Sequence, residues 1–182
     1  MKTGTIYRGA EEILDIKYTR VWAMPNAWTF EIGPIKELLS RYVGNGARWI
    51  DPFAGKTSPA GITNDHNPAM PAQYHLEVLE FAKVIGNGYV GILFDPPYSF
   101  RQISEHYKSV GQKATQLQTS MAFYEKAKSA FCDKIVPGGY AISFGWNTNG
   151  FGKRRGFKII EILDIAHGGS KNDTLCTVEV KL

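Results

Sequence analysis

The chain is poor in the features that mark several large protein classes. It has two cysteines, Cys132 and Cys176, far apart and in no ligand spacing. That excludes a disulfide-stapled scaffold and fits free thiols in a reducing compartment. The four histidines, His66, His75, His106 and His167, are equally scattered, so no metal site is expected. No stretch approaches the roughly 20 consecutive apolar residues of a membrane-spanning helix. The first residues, Met1-Lys2-Thr3-Gly4-Thr5-Ile6-Tyr7, lack the apolar segment of a secretory signal. A cytoplasmic protein with no membrane partner is therefore expected. The dinucleotide fingerprint Gly-x-Gly-x-x-Gly is missing, which argues against a nicotinamide enzyme. Gly55-Lys56-Thr57 imitates the end of a phosphate-binding loop, but the glycine such a loop needs upstream is Ile50 here. A GTPase or ATPase reading fails on that residue.

What is present fits one folded domain spanning 1–182: the length suits a single core, and 43% of the residues are hydrophobic. Charge is unevenly placed. Through Tyr98 the chain carries 9 Lys/Arg and 10 Asp/Glu, whereas Ser99 to Lys158 carries 10 Lys/Arg against Glu105, Glu125 and Asp133, a net of +7. A one-sided basic segment suits a polyanionic partner.

Periodicity and breakers predict strands alternating with helices. Gly33-Pro34 opens a helix through about Tyr42, and Gly44-Asn45-Gly46 ends it. Short strands are expected at 47–50, 61–64 and 73–76, the last followed by a helix through about Val84. Tyr89 to Phe94 is the most convincing central strand. A long helix from Leu117 to about Ile135, a Pro137-Gly138-Gly139 turn and a strand at 140–144 follow. Strands at 157–166 and 174–180 close the chain as a pair. The pattern implies an α/β fold with a mostly parallel central sheet and an antiparallel C-terminal pair. Ligands on such sheets bind at the carboxyl ends of the strands. Asp51, Asp65 and Asp95 all fall at predicted strand ends, where they could share one crevice.

Asp95-Pro96-Pro97-Tyr98 is the most informative stretch. Both prolines lack an N–H and have φ fixed near −65°. The carbonyls of Asp95 and Pro96 are thus left to face a ligand beside a carboxylate and an aromatic ring. A planar amino group attached to a heterocycle needs such acceptors and such a stacking surface. Upstream, Asp51-Pro52-Phe53-Ala54-Gly55 follows a strand and opens a loop whose glycine lets the backbone approach a small molecule closely.

The ordered pair Asp51-Pro52-Phe53-Ala54-Gly55 and Asp95-Pro96-Pro97-Tyr98 resembles the paired signatures of amino-group DNA methyltransferases. The closest match is to adenine-N6 enzymes of restriction-modification systems and phages. The segment Trp22-Ala23-Met24-Pro25-Asn26-Ala27-Trp28-Thr29-Phe30 looks like that family's extra cofactor motif. The resemblance implies a Rossmann-like methyltransferase fold using S-adenosyl-L-methionine, with residues 1–32 as a cofactor-contacting segment. Asp51, Phe53, Ala54 and Gly55 would serve its methionine side, Asp65 the ribose, and Glu77 the adenine ring, with Thr29 and Phe30 closing over the methionine end. Trp28 and Phe30 read equally well as core residues. Asp95, Pro96, Pro97 and Tyr98 would hold the target amine, with Phe100 beside it. Arg101, Lys108 and Lys113, on a lid at 99–116, and Lys153, Arg154 and Arg155 would meet phosphates. DNA is the expected partner. RNA, or a binding module that lacks turnover and works beside a specificity partner, are the alternatives, and an oligomer is compatible. Little sequence is left for a separate target-recognition domain.

Two departures from the family pattern stand out. Thr57 replaces a second glycine, and only Ser58-Pro59-Ala60 separates it from the next strand. A crossover between parallel strands normally takes a dozen or more residues, so the helix after the glycine loop is expected to be shortened or missing.

Overall fold

A computed structural model describes residues 4–7, 13–97, 111 and 121–182. Among the described residues, eight strands form one sheet in the order β1-β2-β7-β8-β6-β5-β3-β4. They are β1 (Gly4–Tyr7), β2 (Ile13–Trp22), β3 (Trp49–Asp51), β4 (Ile62–Thr63), β5 (Tyr89–Phe94), β6 (Ile135–Gly145), β7 (Phe157–Ala166) and β8 (Thr174–Lys181). Among the described residues, three α-helices cover it: α1 (Gly33–Tyr42), α2 (Val78–Val84) and α3 (Met121–Cys132). The pairs β2/β7, β6/β5, β5/β3 and β3/β4 are parallel. β8 runs against both β6 and β7, and β1 against β2. Consequently β2, β7, β6, β5, β3 and β4 all end at one edge of the sheet. This is the mostly parallel α/β sheet with an antiparallel C-terminal pair that the sequence implied.

Both faces of the central strands are buried, which is why β5 reads as a continuous apolar run rather than an alternation. Leu93 packs with Ile142 and with Ile35, Leu38 and Leu39 of α1 on one face. Its neighbours Ile92 and Phe94 pack with Phe81 of α2 and Phe131 of α3 on the other. Pro34 sits in the first turn of α1, where its missing N–H costs nothing. Gly44, at φ +60°, turns the chain out of that helix.

Several expectations change. β2 was expected only as part of a cofactor-contacting segment, but it is a ten-residue strand paired to β7. Its charges are matched across the pair: Lys17 to Glu161 at 2.9 Å, and Arg20 and the Tyr18 hydroxyl to Asp164. β6 starts at Ile135, not at 140, because Pro137-Gly138-Gly139 is accommodated as an irregularity inside the strand, with Gly138 at φ +78°. α3 therefore ends at Cys132, before Ile135. The first four residues of that expected helix, 117–120, and all of the proposed lid but Gly111 lie outside the described residues.

The suspected loss of the crossover helix is real: residues 52–61, joining parallel β3 and β4, contain no helix. The short return is possible because two glycine backbones touch. The Gly61 N–H donates to the Gly46 carbonyl at 2.8 Å, and a Cβ on Gly46 would fall 1.9 Å from the Pro59 oxygen. Among the described residues, no helix is long and apolar enough to cross a membrane, and no cluster of His, Cys, Asp or Glu could hold a metal ion.

Candidate functional site

A crevice of about 270 Å³ opens at the carboxyl ends of β3, β4 and β5. It brings together most of the described residues singled out in the sequence. Thr29, Phe30, Phe53, Ala54, Gly55, Asp65 and Glu77 line it, as do Asp95, Pro96 and Pro97. Tyr98, Phe100, Arg101, Lys108 and Lys113 lie outside the described residues.

Asp51 does not line the crevice. It is fully buried beneath the glycine loop, where its carboxylate accepts the Phe53 N–H at 2.9 Å and the Ser58 hydroxyl at 2.6 Å. Its role here is to hold the loop. Asp65 does part of the same work: its side chain accepts the Gly55 N–H at 2.9 Å and the Asn67 N–H at 2.8 Å. In place of a helix N-terminus, two buried carboxylates fix the backbone of this loop.

Asn64 was not anticipated. It is 1% exposed, and its side chain donates to the carbonyls of Pro52 (3.1 Å) and Leu76 (3.0 Å) and accepts the Leu76 N–H (2.9 Å). It thereby ties the glycine loop to the Leu76-Glu77 turn that opens α2 across the crevice. Its neighbour Asp65, at a predicted strand end, was the only signal for it. Phe123 and Tyr124, from the first turn of α3, complete the wall and were also missed. Tyr124 stacks edge-on against Phe53, which in turn meets Phe94 at 5.2 Å between ring centroids.

A strap from β2 to α1 joins the two halves of the crevice. The Trp28 indole rests on Gly55, 3.3 Å from where a Cβ would stand. The adjacent Thr29 side chain hydrogen-bonds Asp95. Phe30 is buried against Phe144, with centroids 5.2 Å apart. The strap is pinned at its start by His167, whose ring bonds the Ala23 carbonyl and the Thr174 hydroxyl, each at 2.8 Å.

Burial pushes the Asp95 carboxyl up to about 7, against the opposing pull of the Thr29 hydrogen bond. Burial likewise pushes Asp51 up to about 7; the Ser58 and Phe53 hydrogen bonds hold it down, and the nearby charges of Asp95 and Asp65 add to the rise.

The basic cluster at 153–155 is placed elsewhere. It forms a short 3-10 turn before β7, away from the edge where the strands end, and none of it lines the crevice. Arg155 is committed to the fold: its guanidinium donates to the Phe151 carbonyl, the Ser129 hydroxyl, and the carbonyl and carboxylate of Glu125, all within 3.0 Å. The expectation that Arg155 meets phosphate is corrected on that ground. Lys153 and Arg154 are exposed.

Neither family models nor curated protein sequences match the chain. Solved structures do. The structure of yhhF from Escherichia coli matches with a TM-score of 0.55 at 10% identity over 87% of this chain and 90% of that one. A Burkholderia thailandensis 1,6-didemethyltoxoflavin-N1-methyltransferase, solved with S-adenosylhomocysteine, matches with a TM-score of 0.55 at 10% identity, covering 82% and 77%. TrmN from Thermus thermophilus matches with a TM-score of 0.54 at 14% identity over 83% of this chain, which spans only 49% of TrmN. At such identities the likeness is one of fold, and the fold shared is the Rossmann-like one of these methyltransferases.

Proposed function

We propose that this chain transfers a methyl group from S-adenosylmethionine to the exocyclic amine of a nucleic-acid base, with N6 of adenine in DNA as the first choice. The observation that carries the reading is the convergence of the glycine loop and the Asp95-Pro96-Pro97 corner in one crevice, bridged by Trp28 and Thr29. The residues present fit the cofactor. Gly55 leaves room for close approach, Asp65 and Glu77 offer acceptors for hydroxyl and amino groups, and Phe123 and Tyr124 offer a flat apolar wall. The toxoflavin enzyme that shares the fold holds the demethylated cofactor. When bound, S-adenosylmethionine supplies the methyl group already activated on a sulfonium.

The chain's own residues then handle the amine. Its lone pair is delocalised into the ring, which makes it a poor nucleophile. Hydrogen bonds from the amino group to the Asp95 carboxylate and the Pro96 carbonyl draw the nitrogen towards a tetrahedral shape and localise that pair. Catalysis of this kind is positioning and electrostatic complementarity. A paired adenine hides its N6 in the duplex, so the base is flipped out or single-stranded when it enters, and Tyr98 stacks on it. Acids dominate the charge of the described crevice wall. Phosphates therefore stay outside, on Arg101, Lys108 and Lys113 or on Lys153 and Arg154.

Labelled-methyl transfer to DNA and RNA pools, followed by nucleoside analysis, tests the reading. Label in N6-methyladenine from DNA is expected. Label confined to RNA moves the target to RNA. Nucleic-acid binding with no transfer to any pool leaves the binding module instead.

A pH dependence follows from Asp95. Its ionised form is the stronger acceptor for the amino hydrogen that it takes beside the Pro96 carbonyl, and its carboxyl is pushed up to about 7. The fraction ionised rises with pH, so kcat/KM is expected to fall as pH drops through about 7 and to level off above it. Burial also pushes Asp51 up to about 7, and the charge of Asp95 adds to that rise. A profile that is flat from about pH 6 to 8, or that falls as pH rises, contradicts this role.

A further inference from the structure

One end of S-adenosylmethionine is an amino acid, whose carboxylate calls for a cation or for N–H donors. The described residues that line the crevice include Asp65, Glu77 and Asp95 but no Lys or Arg, and their histidine, His66, stands beside Asp65 just past β4. The glycine loop is equally unreceptive. Pro52 has no N–H, and the Phe53, Ala54 and Gly55 N–H groups are committed to the Asp51 carboxylate, the Asn64 carbonyl and the Asp65 carboxylate, each at 2.9 Å. Residues 52–61 hold no helix, so no helix N-terminus takes over that task. Beside the crevice, however, lies a second hollow of about 310 Å³. Phe30 and Thr57 line both spaces, so the two meet at those side chains. The walls of the hollow also include Glu31, Lys36, Leu39 and Val43. Lys36 and Glu31 form an ion pair at 2.5 Å, with side chains 54% and 34% exposed. Lys56, next to Gly55, lines neither space.

We propose that the Glu31–Lys36 pair, in the hollow beside Phe30 and Thr57, receives the amino-acid end of the cofactor: Lys36 takes the carboxylate and Glu31 the ammonium group. This rests on the methyl-transfer reading of the site. The signs match, because the ligand end and the ion pair each carry one charge of either kind. The path is set by the strap. Thr29, Phe30 and Glu31 are consecutive residues of one 3-10 turn, with Thr29 at Asp95, Phe30 at the junction and Glu31 in the hollow. Consecutive Cα atoms are about 3.8 Å apart, so Glu31 stands within about 8 Å of Thr29 along the backbone. An arm that leaves the methyl-transfer corner and follows the strap past Phe30 therefore arrives at the pair. Exposed ion pairs contribute little to stability, so this one opens readily. A zwitterion laid across it keeps both charges matched. A side-chain ion pair thereby replaces the helix N-terminus that the shortened crossover lacks.

The test is calorimetric titration of the full chain with S-adenosylhomocysteine and with methylthioadenosine, which keeps the adenosine and the thioether but has no amino-acid end. The wild-type protein is expected to bind S-adenosylhomocysteine at least about tenfold more tightly, the lower end of what a hydrogen bond to a charged group contributes. Lys36→Gln should weaken S-adenosylhomocysteine by about tenfold and leave methylthioadenosine unchanged, and Lys36→Arg should restore most of the loss. Glu31→Gln should also weaken S-adenosylhomocysteine alone, and it serves as an independent arm if Lys36→Gln does not fold. Lys56→Gln should change neither affinity. Undiminished S-adenosylhomocysteine binding in Lys36→Gln overturns the inference while leaving the methyl-transfer reading standing. So does an equal loss for both ligands, which makes Lys36 a structural residue, and so does a wild-type protein that does not distinguish the two. A loss that follows Lys56→Gln instead places the carboxylate at the loop and overturns it as well. Failure of both ligands to bind the wild-type protein overturns the methyl-transfer reading too.

Discussion

Asp95→Asn is expected to lower methyl transfer at saturating cofactor by about 10²–10³-fold, the usual loss when one preorganised polar contact to a transition state is removed. The exchange is nearly isosteric, and the new side chain can still accept the Thr29 hydrogen bond through its oxygen. It fails for a different reason. An amide offers one acceptor and two donors, so it points hydrogens at an amino group that needs somewhere to place its own. The nitrogen stays flat and its lone pair stays in the ring. The measurement is single-turnover transfer of labelled methyl, with thermal unfolding as the control for folding. A variant that folds like the wild type and retains more than a tenth of its rate would remove Asp95 from the mechanism.

Asn64→Leu is expected to cost about 2–5 kcal/mol of stability and to weaken cofactor binding by an order of magnitude or more. Leucine fills nearly the same volume, so packing changes little. What is lost is every hydrogen bond the amide makes: the Pro52 and Leu76 carbonyls and the Leu76 N–H lose their Asn64 partner where Asn64 is 1% exposed. Unsatisfied groups in such a place each cost about 1–3 kcal/mol. The glycine loop and the Leu76-Glu77 wall would then move independently, and the crevice between them would lose its shape. Urea unfolding should show a lower midpoint with an unchanged slope, and titration a higher cofactor Kd. Asn64→Asp, which keeps the acceptor for Leu76 but loses both donors, should fall between. Wild-type stability and affinity in Asn64→Leu would mean that the three bonds are dispensable.

Sequence reading and structure agree where one physical signal dominates. Tyr89 to Phe94 could be placed because a strand buried on both faces is apolar throughout. The prolines after Asp95 marked its end because they cannot continue a ladder. The missing crossover helix was legible because ten residues are too few to contain it. The failures have physical reasons as well. Lys17 and Arg20 disguised β2, because partners that make charges tolerable in a strand, Glu161 and Asp164, lie more than 140 residues away. The cluster at 153–155 showed the sign of its charge but not its direction, and Arg155 turns inward onto α3. Asn64 was passed over because a buried asparagine that bridges two loops has no spacing signature. Its importance exists only after the loops have met.

The strap that bridges the crevice has a consequence for the order in which the protein becomes competent. It leaves β2, which is held in place by pairing with β7, so Trp28 and Thr29 are positioned by contacts between Lys17 and Glu161, 144 residues apart. Contacts of such separation form late, because the chain entropy of closing the loop must be overcome first. A nascent chain that has just exposed residues 13–97 already contains every described strand end of the crevice, yet it lacks the β7 partner of β2 and the His167 ring that hold the start of the strap. On the methyl-transfer reading, cofactor capture is thereby tied to completion of β7.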